Sequence, residues 1–243
     1  MIMGLSGVKE DWHRLPEQLA QDRPVAVFDN RGIGESDVPD GPYTAEQLSG
    51  DARALLDTLG WAQAHVMGIS MGGMIAQTLA LAAPERVDRL VLGCTSDTGR
   101  LDPAPDRAAM NAMLPAAGTA PRAAAGRALA INYTPEWIAE DPRRFEALVE
   151  QSMHYRRRAR GIFGQINAVG RFNAGEWLAG LMHQTLVLHG DRDRLIPYPN
   201  GKRLAGRLRN ARLELLTGCG HLFWHMDEGR SSERIRDFLN HGD

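Results

Sequence analysis

Ser70, His221 and the aspartates at 191 and 193 are the residues of this 243-residue chain whose types and surroundings could do chemistry together. Ser70 stands in Gly68-Ile69-Ser70-Met71-Gly72, followed by Gly73. The apolar run Ala64-His65-Val66-Met67 before it reads as a short buried strand, and Met74 to Ala80 after it reads as a helix. G-x-S-x-G between strand and helix is the setting in which a serine is held on a sharp turn with its Oγ exposed, glycines leaving the necessary room. The helix that begins after the serine aims free N–H groups and its positive dipole end at a developing oxyanion, and the N–H of Met71 is one such donor. A serine is a poor nucleophile until an imidazole takes its proton, and a carboxylate must then orient that imidazole and stabilise its charge. Gly218-Cys219-Gly220-His221 offers the imidazole on a glycine-flanked loop. Gly190-Asp191-Arg192-Asp193, directly after the apolar run Thr185 to His189, offers the carboxylate on either of two aspartates.

The elements that must position these groups alternate. Trp12, Leu15 and Leu19 mark one helix face, and Pro24 to Phe28 reads as a strand. Thr44 and Gln47 form a capping box ahead of Leu48, Ala52, Leu55, Leu56 and Leu59 at helical spacing, and Gly60 ends that helix. Val87 to Leu92 is another buried strand. From about Asp97 the alternation stops. Leu101 to Pro121 is rich in Pro, Ala and Gly without strand signals, and Arg122 to Asn132, Pro135 to Ala139, Pro142 to Tyr155 and Ala159 to Phe172 read as helices. Alternation resumes with the Thr185 strand, a Pro197 to Leu208 helix, a Leu213 to Leu216 strand and a last helix holding Ile235, Phe238 and Leu239. Alternating strands and helices imply an α/β fold with a mostly parallel sheet flanked by helices. Ser70, the aspartates and His221 then all lie just past strand carboxyl ends, where such sheets form their crevices.

Several other features read as structural. Asp29 to Ser36 resembles a nucleotide loop, but G-x-G-x-x-G fails at Asp37. His65 and His189 belong to strands, and His225 makes an H-x-x-x-H pair with His221 that lacks the acid of a zinc hydrolase. Cys94 and Cys219 are too few for a disulfide framework and fit a reducing compartment. A net charge of −2 and a pI near 6.5 argue against nucleic acid and membrane surfaces. No apolar stretch approaches the roughly 18–20 residues of a membrane span, nor does a signal-like segment open the chain, so a cytoplasmic protein is expected. Arg156-Arg157-Arg158 reads as a solvated helix face or, more sharply, as a clamp for an anionic substrate.

The order Ser, Asp, His, together with Met3-Gly4-Leu5, Asp29-Asn30-Arg31-Gly32 to Ser36, Gly68 to Gly73, His189-Gly190 to Pro197 and Gly220-His221, resembles the α/β-hydrolase superfamily. Within it the chain is most similar to small capped serine hydrolases of the enol-lactonase, carboxylesterase and proline-iminopeptidase kind. The resemblance implies that Asp193, in a His-Gly-x-x-Asp pattern, is the acid, ahead of Asp191 and of Asp97. It also implies that Leu5 carries the second oxyanion donor, with Met3-Gly4 standing where relatives often have His-Gly. The expected organisation is a core of residues 1–96 and 176–243 with a helical cap, or lid, at 97–175. Phe163, Phe172, Phe223 and Trp224 are candidate pocket walls beside Met71. Hydrolysis of a small ester or lactone through a Ser70 acyl-enzyme is expected, with no cofactor and no metal. The rivals on the same scaffold are C–C bond hydrolysis, perhydrolysis, amide or peptide hydrolysis and acyl transfer or cyclisation. A ligand-binding receptor with a relic triad is the rival of another class. Relatives of this kind usually carry two more strands before the oxyanion loop. Without them the Pro24–Phe28 strand is expected to present an open edge, covered by a second copy in a homodimer or by an upstream segment.

Overall fold

The computed structural model describes residues 1–113 and 118–242. The first half holds α1 (Leu15–Leu19), α2 (Ala45–Thr58), β1 (Ala64–Ile69), α3 (Met71–Ala82) and β2 (Val87–Gly93). Helices α4 (Arg107–Met113), α5 (Pro121–Ala130), α6 (Pro135–Glu140), α7 (Pro142–His154) and α8 (Ala159–Arg171) follow. The chain then returns to β3 (Thr185–Gly190), α9 (Tyr198–Arg207), β4 (Ala211–Leu216), α10 (Phe223–Met226) and α11 (Glu228–His241). The four strands form one parallel sheet in the order β1-β2-β3-β4. All four carboxyl ends therefore share one edge.

β1, β2 and β3 bury both faces toward their carboxyl ends, and successive residues serve opposite cores. Val66, Leu90, Leu92 and Val187 pack with α2, α3 and α9 residues such as Leu48, Ile75 and Leu204. Met67, Ile69, Val91, Leu186 and Leu188 pack on the other face with Trp12, Leu15, Trp224, Ile235 and Phe238. Each fully buried aliphatic or aromatic side chain of this kind is worth roughly 1.5–3 kcal/mol, so the sheet's register is fixed from both sides.

Local sequence explains most boundaries. The Thr44–Gln47 box is formed reciprocally, with 3.2 Å from Gln47 N–H to Thr44 Oγ1 and 3.0 Å from Thr44 N–H to Gln47 Oε1. Prolines stand in the first turns of α5, α6 and α7, where a missing N–H costs nothing. Two expectations need correction. The Trp12–Leu19 stretch is not one helix: a 3-10 turn over Lys9–Trp12 ends at His13, whose φ of 54° breaks the chain before α1. Pro24 to Phe28 forms no strand and belongs to no ladder. Its inner neighbour is the short Met1–Met3 segment, which bridges Ile2 to Gly68 beside β1 and reaches the Pro24–Phe28 run through the Met1 amino group, 2.7 Å from Ala26 O. Beyond that contact a cavity of about 320 Å³ separates Val25, Ala26 and Phe28 from Ala64 to Met67.

The helical segment between β2 and β3 leaves the core through a narrow stem. Thr98 bridges Asn173 antiparallel, and Ala174 N–H donates to Asp97 O at 2.8 Å. Tyr133, Trp137, Phe145 and Val149 give this segment a small core of its own, with Tyr133 stacked on Trp137 at 4.4 Å. Among the described residues no helix is long and apolar enough to cross a membrane.

Candidate active site

Ser70 occupies the turn between β1 and α3 with φ 55° and ψ −122°, a conformation that costs an L-residue on the order of 1–3 kcal/mol. The surroundings hold it there. Ser70 N–H donates to Gly93 O at 2.9 Å, and Ser70 O accepts from Thr95 Oγ1 at 2.7 Å and from Gly73 N–H at 2.9 Å. The turn is so tight that a Cβ on Gly68 would lie 2.1 Å from Gly72 O, and one on Gly72 would lie 2.0 Å from Ile2 O. Met71 is the first residue of α3, so its N–H has no partner within the helix and points from the helix start.

The loop that carries Leu5 runs directly over the serine: a Cβ on Gly4 would come 3.1 Å from Ser70 Cβ and 3.6 Å from Ser70 Oγ. Gly7 N–H closes a turn onto Gly4 O at 3.2 Å. The buried Asn30 amide donates to Met3 O at 2.9 Å, and the buried Asp29 carboxylate accepts from Lys9 N–H at 2.7 Å and Glu35 N–H at 3.0 Å. The Asp29–Ser36 motif thus braces the Met3–Lys9 loop that passes over Ser70.

His221 and Asp193 are both buried and meet at 2.7 Å, Nδ1 to Oδ2. The other carboxylate oxygen accepts from Leu195 N–H and Ile196 N–H, each at 2.9 Å. Burial alone would raise the Asp193 carboxyl, but the charge and hydrogen bonds of His221 and His189 outweigh it and hold the group below the usual carboxylate range. Burial likewise disfavours the His221 imidazolium, and the Asp193 carboxylate more than offsets this, raising His221 well above its ordinary value. With Nδ1 committed to Asp193, Nε2 is the nitrogen left for proton exchange. The histidine loop crosses the acid loop at a pinch, where Arg192 N–H meets Cys219 O at 2.9 Å. It also meets the tip of β2, where Cys94 Sγ lies 3.1 Å from His221 O. Ser70 N–H bonds to Gly93, the neighbour of that cysteine, so serine and histidine flank the same strand end.

The competing readings resolve on geometry. Asp191 accepts Gly218 N–H at 2.7 Å and closes the loop. Asp97 is fully buried against Arg203 (3.0 Å) and Arg207 and ties the stem to α9. His189 Nε2 lies 2.7 Å from Ile196 O, and His65 Nδ1 lies 3.2 Å from Asp88. His225 is held between Tyr133 Oη at 2.8 Å and Asp11 O at 2.9 Å, and burial lowers its pKa to about 4. The donor atoms of Cys94, Asp193 and His221 lie within 4.8 Å of one another. His221 Nδ1 and Asp193 Oδ2 are bonded to each other, and burial pushes the Cys94 thiol pKa up, against the thiolate a metal needs.

The aromatic candidates fare worse. Phe163 is 69 % exposed and turns away from the core. Phe172 packs in the core on the α2–α3 side, Phe223 sits under Gly93, and Trp224 pairs with Trp12 at 5.4 Å, so all three are core residues. Arg157 is no clamp either: it is spent within the chain on Ser6 O at 3.0 Å, Ser152 O at 2.6 Å and Asp11 at 3.0 Å. Sequence reasoning missed Gln165, a fully buried residue of α8 whose Oε1 accepts Ser6 N–H at 2.9 Å and whose Nε2 donates to Arg31 O at 3.0 Å.

This fold, with a serine on a strand–helix elbow and an Asp–His pair at the neighbouring strand ends, is that of the α/β-hydrolases. The family model described as alpha/beta hydrolase fold matches residues 1–225, and the chain belongs to that family. It is 31% identical to a putative carbamate hydrolase, RutD, of Caulobacter vibrioides over 97% of this chain and 87% of that protein. It is 33% identical to a poly(3-hydroxyalkanoate) depolymerase of Ectopseudomonas oleovorans over 85% of this chain and 71% of that one. Among solved structures, the enol-lactonase of Burkholderia xenovorans LB400 superposes with a TM-score of 0.82 at 25% identity, covering 98% of this chain and 89% of that one.

Proposed function

We propose that the chain hydrolyses an ester or lactone of a small organic molecule through an acyl-enzyme on Ser70. The observation that carries this is the strained elbow at Ser70 beside a buried His221–Asp193 pair of 2.7 Å. In this reading His221 Nε2 takes the Oγ proton as Oγ attacks the substrate carbonyl. The C=O electron pair moves onto oxygen, where Leu5 and Met71 N–H groups hold the anion. Collapse expels the alkoxide, which receives the proton from His221; water, deprotonated by the same imidazole, then releases the acid. Asp193 stays ionised throughout and fixes the tautomer.

The helical segment serves as a lid. It touches both loops that flank Ser70: Gln165 holds Ser6, and Asn132 O accepts the N–H of Leu222, next to His221, at 3.1 Å. The relative named a putative carbamate hydrolase supports a second reading on the same residues, cleavage of a carbamate or amide, in which His221 protonates a leaving nitrogen. Pre-steady-state kinetics separate the readings. A p-nitrophenyl ester should give a burst and turnover, a fluorophosphonate should add one mass on Ser70, and esters, lactones and carbamates should rank by kcat/KM. No burst and no adduct would overturn the acyl-enzyme altogether.

A further inference from the structure

Ser6 follows the oxyanion donor Leu5 and has φ 59°, a left-handed conformation that costs a non-glycine residue about 1–2 kcal/mol. Gly4 to Gly7 form a hydrogen-bonded turn in which Leu5 and Ser6 are the central residues. Leu5 is not among the positive-φ residues, so positive φ at Ser6 alone makes this a type II turn, whose third position is normally glycine. The type I alternative differs by reversal of the central Leu5–Ser6 peptide, suits serine better, and relieves the strain.

One side chain opposes that reversal, that of Gln165, while Arg157 fixes the peptide that follows. The Ser6 N–H of the central peptide donates to Gln165 Oε1 at 2.9 Å, and Ser6 O accepts from Arg157 Nε at 3.0 Å. Were the central peptide reversed, Leu5 O would face the Gln165 carbonyl oxygen, acceptor against acceptor. Gln165 is itself fixed, because its Nε2 must donate to Arg31 O. Its helix comes close enough because the buried face of α8 is small: Gly161, Gly164 and Ala168. A Cβ on Gly161 would lie 1.8 Å from Gly32 O, and one on Gly164 would lie 2.5 Å from Tyr43.

We infer that Gln165 is a positioning residue for the oxyanion hole: it selects the type II form of the Gly4–Gly7 turn and so sets the ψ of Leu5 and the lie of that donor's loop over Ser70. This rests on the hydrolase reading of the site. The formation of the hole then depends on α8 being seated, which couples the lid to the chemical step rather than to access alone.

The test uses Gln165→Met, which keeps the bulk of the side chain and removes both polar atoms, alone and combined with Ser6→Gly. Glycine takes φ near +60° without strain and favours type II on its own. Wild type should turn over p-nitrophenyl acetate. In Gln165→Met, kcat should fall roughly 10- to 100-fold, short of the ~10²–10³ for outright loss of a donor, with KM within about threefold. Adding Ser6→Gly should recover most of kcat, which a purely structural role for Gln165 would not allow. A crystal structure of Gln165→Met should show Ser6 at negative φ. The inference is overturned if kcat is unchanged, if a folded variant loses kcat without rescue, or if Ser6 keeps φ near +60°. If wild type shows neither turnover nor a Ser70 adduct, the hydrolase reading fails, and the crystallographic arm still decides whether Gln165 holds the turn.

Discussion

At Ser70 and Met71 the backbone is held by backbone. The glycines at 68 and 72 let main chains touch, Gly93 O takes the Ser70 N–H, and the side chain of Thr95 donates to Ser70 O. From Met3 to Ser6, directly across the serine, the backbone is held by side chains from distant parts of the chain: Asn30 on Met3 O, and Gln165 and Arg157 on Ser6. The two sides of the same proposed oxyanion hole thus differ in how they are built. The elbow is a property of a few consecutive residues, whereas the loop is a property of the assembled fold. In the proposed hole a locally encoded donor at Met71 faces a donor at Leu5 whose loop is tied to the helical insertion through Gln165 and Arg157.

The largest losses are expected at the groups that both proposed donors serve. Ser70→Ala, His221→Ala and Asp193→Asn should each lower kcat/KM by about 10⁴-fold or more, and a double variant should lose little beyond the worse single one, because the three act as a unit. Activity should rise with pH as His221 loses its proton, with a midpoint above the ordinary value of roughly 6.5, since Asp193 raises that group. Asp193→Asn should bring the midpoint of any residual activity down. A rate flat across the neutral range would remove His221 as the base, and full activity in Asp193→Asn would remove Asp193 as its acid partner.

Next in size is the elbow itself. Gly68→Ala must displace the Gly72 carbonyl, which a Cβ would approach to 2.1 Å. Loss of at least the roughly 1–3 kcal/mol typical of overpacking is expected, together with the activity. Gly50→Ala is the counterpart: it lies in α2 with nothing within 4 Å of the new methyl, and should gain about 0.5–1 kcal/mol without touching turnover. Urea titration with parallel ester assays checks both. A Gly68→Ala protein as stable and active as wild type would mean the elbow is not the tight turn described.

This difference in construction also decides what could be read from the sequence. The elbow was legible because Gly68 to Gly73 carries its own reason, and α5 to α8 were legible as helices, but α4 (Arg107–Met113) was not, lying in the Pro-, Ala- and Gly-rich stretch Leu101 to Pro121. Asp193 could be separated from Asp191 only by resemblance. The structure supplies the physical reason, two backbone N–H groups on Oδ1 that leave Oδ2 for His221. Pro24 to Phe28 has the composition of a strand but not the partner, since its inner neighbour reaches it only at Met1. Phe163, Phe223 and Trp224 show how little aromatic identity says about facing: one is exposed and two are core. Gln165 was invisible because its partners lie about 130 to 160 positions away. Its one local signal was a glutamine on the small, buried stripe Gly161, Gly164, Ala168 of an amphipathic helix.

The smallest expected effect sharpens the loop side of the comparison, and it concerns Arg157. Besides Ser6 O, this guanidinium faces Asp11, whose carboxylate also accepts Val8 N–H at 2.9 Å and so pins the far end of the oxyanion loop. Burial raises the Asp11 carboxyl above its ordinary value, and Arg157 pulls it back part of the way. A carboxyl whose pKa is higher folded than unfolded binds its proton more tightly in the native state. Stability therefore falls as pH rises between those two values. Removing the guanidinium pushes the folded value higher still and widens that interval. Arg157→Met should accordingly lose least stability in acid, where Asp11 is neutral in both states, and most at neutral pH, where the carboxylate is left half-buried without its cation. Its lost bonds to Ser6 O and Ser152 O do not titrate and shift both conditions alike. Melting curves of variant and wild type at about pH 3 and about pH 8 should differ by a few degrees more at the higher value. An equal difference at both would show that Arg157 holds the loop through geometry alone, and its charge would drop out of the account of how the insertion orders Leu5.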